Sequence, residues 1–323
     1  MIEKELKLST IKKIHQRLSS YVVETPLISA WNLFNEEFQT ELFLKLEFFQ
    51  NSGTFKVRGA INNILNLDNN SKKKGITAVS AGNHAIAAAY AANKFGLKNK
   101  IFIYSSANHF RINKCKELKA NLNFTDPHSA FSDVKNASTK EGYYYIHPFD
   151  GVKTIQGTAS LGYEICKQVN HIDNIIVSVG GGGLIAGIGS IIKQLFPKCK
   201  VFGVEPEGAK GLSDSLISGQ PMENVSINTI SDSLSAPLHM PYSFSICKKV
   251  IDEMVTVTDL EMINAMNYMY SKCKMLLEPA CVAGIAALAG PLKGKLFNQK
   301  TLVVLCGSNI DVHTWHDLIN NKL

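Results

Sequence analysis

Ile176-Val177-Ser178-Val179-Gly180-Gly181-Gly182-Gly183-Leu184-Ile185-Ala186-Gly187-Ile188 is a β-branched run, four glycines and an apolar run. The order reads as strand, tight turn and helix, the unit from which α/β folds are built. Glycines let backbone N–H groups approach an anion closely, and a helix N-terminus adds positive partial charge, so phosphate suits this turn. The same residues satisfy a dinucleotide pattern, Gly181-x-Gly183-x-x-Ala186, with Glu205 ending the next strand at a distance suited to a ribose contact. A turn without any ligand is the third reading. Ile175 to Ile192 is uncharged and long enough to suggest a membrane span, but consecutive glycines make a continuous helix implausible there.

Outward from this unit, strands and helices alternate. Strands are expected at Leu42–Leu46, Ile76–Ser80, Ile101–Tyr104, Ile175–Val179, Val201–Glu205, Met254–Val257 and Thr301–Leu305. Helices are expected at Val57–Leu67, Asn83–Phe95, Lys153–Gln168, Leu184–Leu195, Asp259–Cys273, Ala280–Leu288 and Asp311–Asn321. This alternation predicts an α/β fold of mainly parallel sheets with helices on both faces. At 323 residues the chain exceeds one typical domain and should form two lobes. Ligands in such folds gather at the carboxyl ends of strands, where the loops Ser80–His84, Gly180–Gly183 and Cys306–Asn309 fall.

Composition removes several function classes. Apolar content of 45% and charge of 19% are those of a globular protein. The net charge of +7 comes from scattered lysines, with only Arg17, Arg58 and Arg111 as arginines, so no basic stripe for nucleic acid is present. Lys72-Lys73-Lys74 before Gly75 reads as a solvated loop. The seven cysteines (115, 166, 199, 247, 273, 281 and 306) lie far apart without zinc spacing, which fits reduced thiols in a cytoplasmic protein. The start, Met1 to Leu6, lacks the apolar core of a signal peptide.

A second segment carries chemistry. Ser52-Gly53-Thr54-Phe55-Lys56-Val57-Arg58-Gly59-Ala60 places one lysine behind an aromatic ring at a helix start. Partial desolvation there would lower the amine's pKa and make it a nucleophile; an ordinary surface lysine is the alternative.

Together with Ser80-Ala81-Gly82-Asn83-His84-Ala85, these segments resemble the fold-type II pyridoxal-phosphate enzymes, nearest the serine/threonine dehydratases (ammonia-lyases) and serine racemases. Further matches follow in order: Glu24–Leu27, Leu44–Glu47, Gln156–Thr158, Gly203–Pro206, Leu277–Ala280 and Leu305–Asn309. The resemblance covers nearly the whole chain. It implies a two-lobed fold like the tryptophan synthase β subunit, with residues 52–147 as the small lobe and 1–51 with 148–323 as the large one. It implies pyridoxal 5'-phosphate as cofactor, an amino acid as substrate, and a homodimer.

The resemblance also assigns roles. Lys56 would hold the cofactor as a Schiff base, then remove the substrate α-proton; Phe55 would pack beside it. Gly180, Gly181, Gly182, Gly183 and the Leu184 amide would cradle the phosphate. Asn83 would hydrogen-bond the ring hydroxyl and Cys306 would face the pyridine nitrogen. Ser80, Ala81, Gly82 and His84 would form the turn for the substrate carboxylate, with no catalytic role required of His84. A neutral thiol at 306 cannot keep the ring nitrogen protonated, which favours prompt loss of a β-substituent. The implied reaction is elimination of water from L-serine or L-threonine, giving pyruvate or 2-oxobutyrate plus ammonia.

Departures from the pattern matter. Ala81 stands where racemases carry a second acid/base serine, which disfavours racemisation. Ile86 replaces a common glutamine, and Ser231-Asp232-Ser233 replaces Ala-Asp-Gly, so both could reshape the pocket. Glu205 to Gly211 matches a divalent-cation segment of relatives but has glycine in place of the aspartate, so no metal is expected. His313, His316 and Asp317 read as a solvated helix face. A 3-hydroxyaspartate ammonia-lyase and a non-catalytic cofactor-binding protein are the remaining alternatives. The chain closes shortly after Asn309 without an isoleucine-sensing domain, so feedback control of that kind is not expected.

Overall fold

The computed structural model describes residues 3–30, 38–126 and 129–320. Among the described residues ten strands form two sheets: β1 Leu27–Ser29, β2 Glu41–Leu46, β3 Ile76–Ser80, β4 Asn99–Tyr104, β5 Leu122–Thr125, β6 Tyr144–Tyr145, β7 Asn174–Ser178, β8 Lys200–Pro206, β9 Glu253–Val257 and β10 Lys300–Leu305. The larger sheet runs β1-β2-β10-β7-β8-β9 and the smaller β5-β4-β3-β6. Every pairing is parallel except β1 with β2. The α/β expectation holds, with each expected strand within two residues of its place.

Alternation along the central strands sorts the core. Ile175 and Val177 of β7, with Leu302 and Val304 of β10, face the helices Val152–Gln168 and Gly183–Leu195. Ile176, Val303 and Leu305 face the other way, against Asp259–Cys273 and Pro279–Ala289. A strand covered on both faces needs apolar residues at every position, which is why β7 reads as a continuous run. The helix pair on the first face meets backbone to backbone: a Cβ on Gly187 would lie 2.1 Å from Thr158 Oγ1. Thr158 in turn donates to the Gly183 carbonyl at 2.7 Å, tying the helix Val152–Gln168 to the glycine turn.

Beneath the Lys56 helix lies a closed charge cluster. Arg58 donates to Glu47 (2.8 Å) and Glu164 (2.9 Å), and Lys45 donates to Glu164 at 2.7 Å, all four side chains being buried. Two cations thus meet two carboxylates. Lys45 and Glu47 belong to the Leu44–Glu47 match, Arg58 to the lysine segment and Glu164 to the helix Val152–Gln168, and together they seat the helix Lys56–Leu65 against Val152–Gln168. A Cβ on Gly157 would lie 2.5 Å from Gly59 Cα, so that seat is close as well.

Several elements escaped the sequence reading: the helices Leu8–Leu18, His109–Glu117, Ala130–Thr139, Gly211–Ser218 and Pro241–Val250, and strands β1, β5 and β6. Lys72–Lys74 is not a loop but the exposed last turn of the helix Asn69–Lys74, where cations suit the negative end of the helix dipole. Asn321, the expected end of the last helix, lies outside the described residues; the helix itself spans Val312–Asn320. No described helix is long and apolar enough to cross a membrane.

Candidate active site

The three loops singled out above converge. Backbone bonds pin the lysine segment to the end of β10: Phe55 N donates to the Cys306 carbonyl at 3.1 Å and Ser308 N to the Gly53 carbonyl at 2.9 Å. Gly53 allows this, with φ +70° and a would-be Cβ 2.9 Å from Asn309 Oδ1. The resulting cavity, of about 470 Å³, is lined by Phe55, Lys56, Ser80–His84, Gly180–Leu184 and Cys306. All the residues given roles by the resemblance therefore border one space. Ile86 does not: it is fully buried in the core, so its exchange for glutamine cannot act by direct contact within the cavity. Ser233 does line it.

Lys56 Nζ donates to the Pro148 carbonyl at 2.6 Å and lies 5.2 Å from the Phe55 ring centre. Burial lowers its pKa to about 8, with Cys306 pulling weakly the other way. The amine is thus partly neutral near physiological pH, as a nucleophile requires. The Cys306 thiol donates to the Ala280 carbonyl at 3.6 Å.

The glycine turn is shaped by Phe149. A Cβ on Gly181 would lie 2.1 Å from the Phe149 ring, and one on Gly183 2.2 Å from the Phe149 carbonyl oxygen. Gly182 has φ +84°, a left-handed conformation that favours glycine. No described acceptor takes the backbone N–H of Gly181, Gly182, Gly183, Leu184 or Ile185. Ser178 Oγ, buried on the same wall, is likewise unpartnered. Unpaired donors at a helix N-terminus suit a phosphate dianion. The dinucleotide alternative fails at Glu205. Its carboxylate accepts from Leu212 N (2.7 Å), Ser213 N (2.9 Å) and Ser213 Oγ (2.6 Å), so it caps the helix Gly211–Ser218 instead of facing a ribose.

At the Ser80–His84 turn, Ser80 Oγ accepts from Gly82 N at 3.0 Å, which leaves its own hydrogen available to a ligand. His84 Nε2 lies 2.8 Å from the Ile146 carbonyl, and burial lowers the ring's pKa to about 3. A neutral ring donating to that oxygen anchors the turn.

Sequence reasoning missed Arg111. Its Nε donates to the Asn309 carbonyl at 2.9 Å, its Nη2 to Glu278 at 3.2 Å, and its Nη1 pairs with Asp232. Gly82 exists for it, since a Cβ there would meet Arg111 Cδ at 2.4 Å. Being one of three arginines in the chain was the signal available. The aromatic and apolar wall of Tyr104, Phe131, Phe149 and Ile227 was also missed, because its members come from four separate segments.

No described group of three or more His, Cys, Asp or Glu could hold a metal ion. His316 and Asp317 are exposed and 3.7 Å apart.

The family model for pyridoxal-phosphate dependent enzymes matches residues 18–307. The chain is 40% identical to phenylserine dehydratase of Ralstonia pickettii, over 95% of this chain and 94% of that protein. It is 33% identical to L-threonine ammonia-lyase of Thermotoga maritima, over 98% of this chain and 79% of that one. The structure of maize serine racemase superposes with a TM-score of 0.91 at 30% identity, each chain being 97% covered. The chain belongs to the pyridoxal-phosphate dependent enzyme family, and pyridoxal phosphate is its cofactor.

Proposed function

We propose that this enzyme eliminates water from a 3-hydroxy-2-amino acid bearing an uncharged, apolar β-substituent, releasing ammonia and a 2-oxo acid. L-Threonine and L-serine are the small members of that class and phenylserine the aromatic one. The observation that carries the reading is the character of the cavity wall. Apart from Lys56, its cations are spoken for: Arg111 is paired with Asp232 and Glu278, and His84 is neutral. A second substrate carboxylate would find no partner, which argues against 3-hydroxyaspartate. Tyr104, Phe131, Phe149 and Ile227 offer an apolar face to a side chain instead, and the relative from Ralstonia is named for phenylserine.

Within that reading each residue has a task. The Lys56 amine would hold the cofactor covalently and, once released, take the α-proton. The free amides from Gly181 to Ile185 would bind the phosphate. The Ser80 hydroxyl and the amides of the turn would bind the substrate carboxylate. Asn83 would donate to the ring hydroxyl, and the Cys306 thiol would meet the ring nitrogen. The bound cofactor supplies the electron sink that makes the α-proton acidic. Ala81 offers a methyl group to the cavity, so the turn supplies no second acid/base for racemisation. Two lobes divided at 52–147, each holding one sheet, and a homodimer in solution belong to the same proposal.

The test is ammonia and 2-oxo acid release from phenylserine, L-threonine, L-serine and 3-hydroxyaspartate by the cofactor-loaded protein. The expected order of kcat/KM is phenylserine, then threonine, then serine, with no turnover of 3-hydroxyaspartate. Racemisation without ammonia release, or no reaction at all, would overturn it.

A further inference from the structure

The Asn83 side-chain amide has no hydrogen left to donate. One of its hydrogens goes to Glu278 Oε1 at 2.6 Å and the other to Ser233 Oγ at 3.0 Å, while its Oδ1 accepts from Asn309 Nδ2 at 2.6 Å. Glu278 and Asn309 are buried and held by further bonds: Glu278 Oε2 accepts from Arg111 and from Asn309 N (3.0 Å). Ser233 differs. It is partly exposed, lines the cavity, and sits on the single turn Asp232–Leu234. Its Oγ donates onward to Asp232 Oδ1 at 3.2 Å, and Asp232 pairs with Arg111 on the helix His109–Glu117.

We propose that Ser233 is a positioning residue that occupies one amide hydrogen of Asn83 until the cofactor takes it. Binding then exchanges the Asn83–Ser233 hydrogen bond for one to the cofactor's ring oxygen. The Ser233 hydroxyl, still tethered to Asp232, is left facing the substrate space. The inference rests on the role given to Asn83 in the function proposed above. A donor that surrenders an existing partner gains less from a ligand than a free donor does, so Ser233 weakens cofactor affinity while keeping the amide aimed.

The experiment is titration of cofactor-free protein with pyridoxal phosphate, comparing wild type with Ser233→Ala, Ser233→Gly, Asn83→Ala and the Asn83→Ala/Ser233→Ala double variant. Both Ser233 variants should bind the cofactor about three- to tenfold more tightly, the size of one ordinary hydrogen bond. Asn83→Ala should bind more weakly, and adding Ser233→Ala to it should change nothing further. Unchanged or weaker binding by Ser233→Ala, beside a weakened Asn83→Ala, would overturn the role of Ser233 and leave that of Asn83 standing. Tightening in Ser233→Gly alone would assign the effect to the backbone and overturn it too. If neither Asn83→Ala nor Ser233→Ala alters binding, the assignment of Asn83 to the cofactor is what fails.

Discussion

The Lys56 amine donates a 2.6 Å hydrogen bond to the Pro148 carbonyl, a contact between the start of one helix and the loop that also shapes the glycine turn through Phe149. The Lys56 amine and the glycine turn are therefore registered to each other by residues 148 and 149. Burial lowers the amine's pKa to about 8, with Cys306 pulling the other way.

A pH dependence follows from that shift. Covalent attachment of the cofactor to cofactor-free protein should quicken as pH rises through about 8 and then level off, where an ordinary lysine would keep gaining up to 10.5. Because the amine's pKa falls on folding, the unfolded chain binds more protons between those values, so this group adds stability as pH rises across that window. Stopped-flow absorbance across the pH range measures the first effect.

Gly181→Ala should lose cofactor affinity and about 1–3 kcal/mol of stability, since its Cβ would lie 2.1 Å from the Phe149 ring. Adding Phe149→Ala should restore part of both, because the two sites share one contact. Thermal melts and cofactor titration of the single and double variants measure the coupling.

Breaking the buried cluster should cost far more than any surface pair. Arg58→Met leaves Glu47 and Glu164 with one cation between them, and about 3–5 kcal/mol of stability should be lost. Urea denaturation of the variant checks this, and Lys45→Met gives an independent second break in the same cluster.

Glu205 caps a helix with its carboxylate, so chelators should leave both activity and melting temperature unchanged. Burial raises its pKa to about 7, and the folded protein therefore binds more protons than the unfolded chain between 4.5 and 7. This group's contribution to stability is greatest at low pH and declines as pH rises through that range. In Glu205→Gln the decline should disappear, as melting curves at pH 5 and pH 7 would record.

Phe131→Ala should lower kcat/KM for phenylserine by about tenfold or more while changing that for serine little, because only the larger side chain reaches the aromatic wall. Equal losses on both substrates would place Phe131 in a structural part instead. Steady-state ammonia release on both substrates decides it.

Local sequence carried much of this architecture. Ile175 to Leu195 announces strand, turn and helix because β7 is buried on both faces and Phe149 leaves no room for a side chain at Gly181. The helix His109–Glu117 was illegible because Phe110, Ile112 and Cys115 are its only apolar residues, and the one side chain it brings to the cavity, Arg111, finds its partners more than a hundred residues away. The meaning of Ser233 was illegible for the same reason: it depends on an amide at position 83 whose other bonds run to 278 and 309. Glu205 was legible only as a ribose contact or an incomplete cation ligand. The helix Gly211–Ser218, which takes up its carboxylate, is too short to show a pattern of its own.

The most direct measurement is borohydride reduction of the cofactor-loaded protein followed by peptide mapping of the trapped adduct. The pyridoxyl group is expected on Lys56 alone, and Lys56→Ala protein should carry no adduct and release no ammonia from phenylserine or threonine. An adduct on another lysine, or a Lys56→Ala protein that keeps both adduct and turnover, would contradict it.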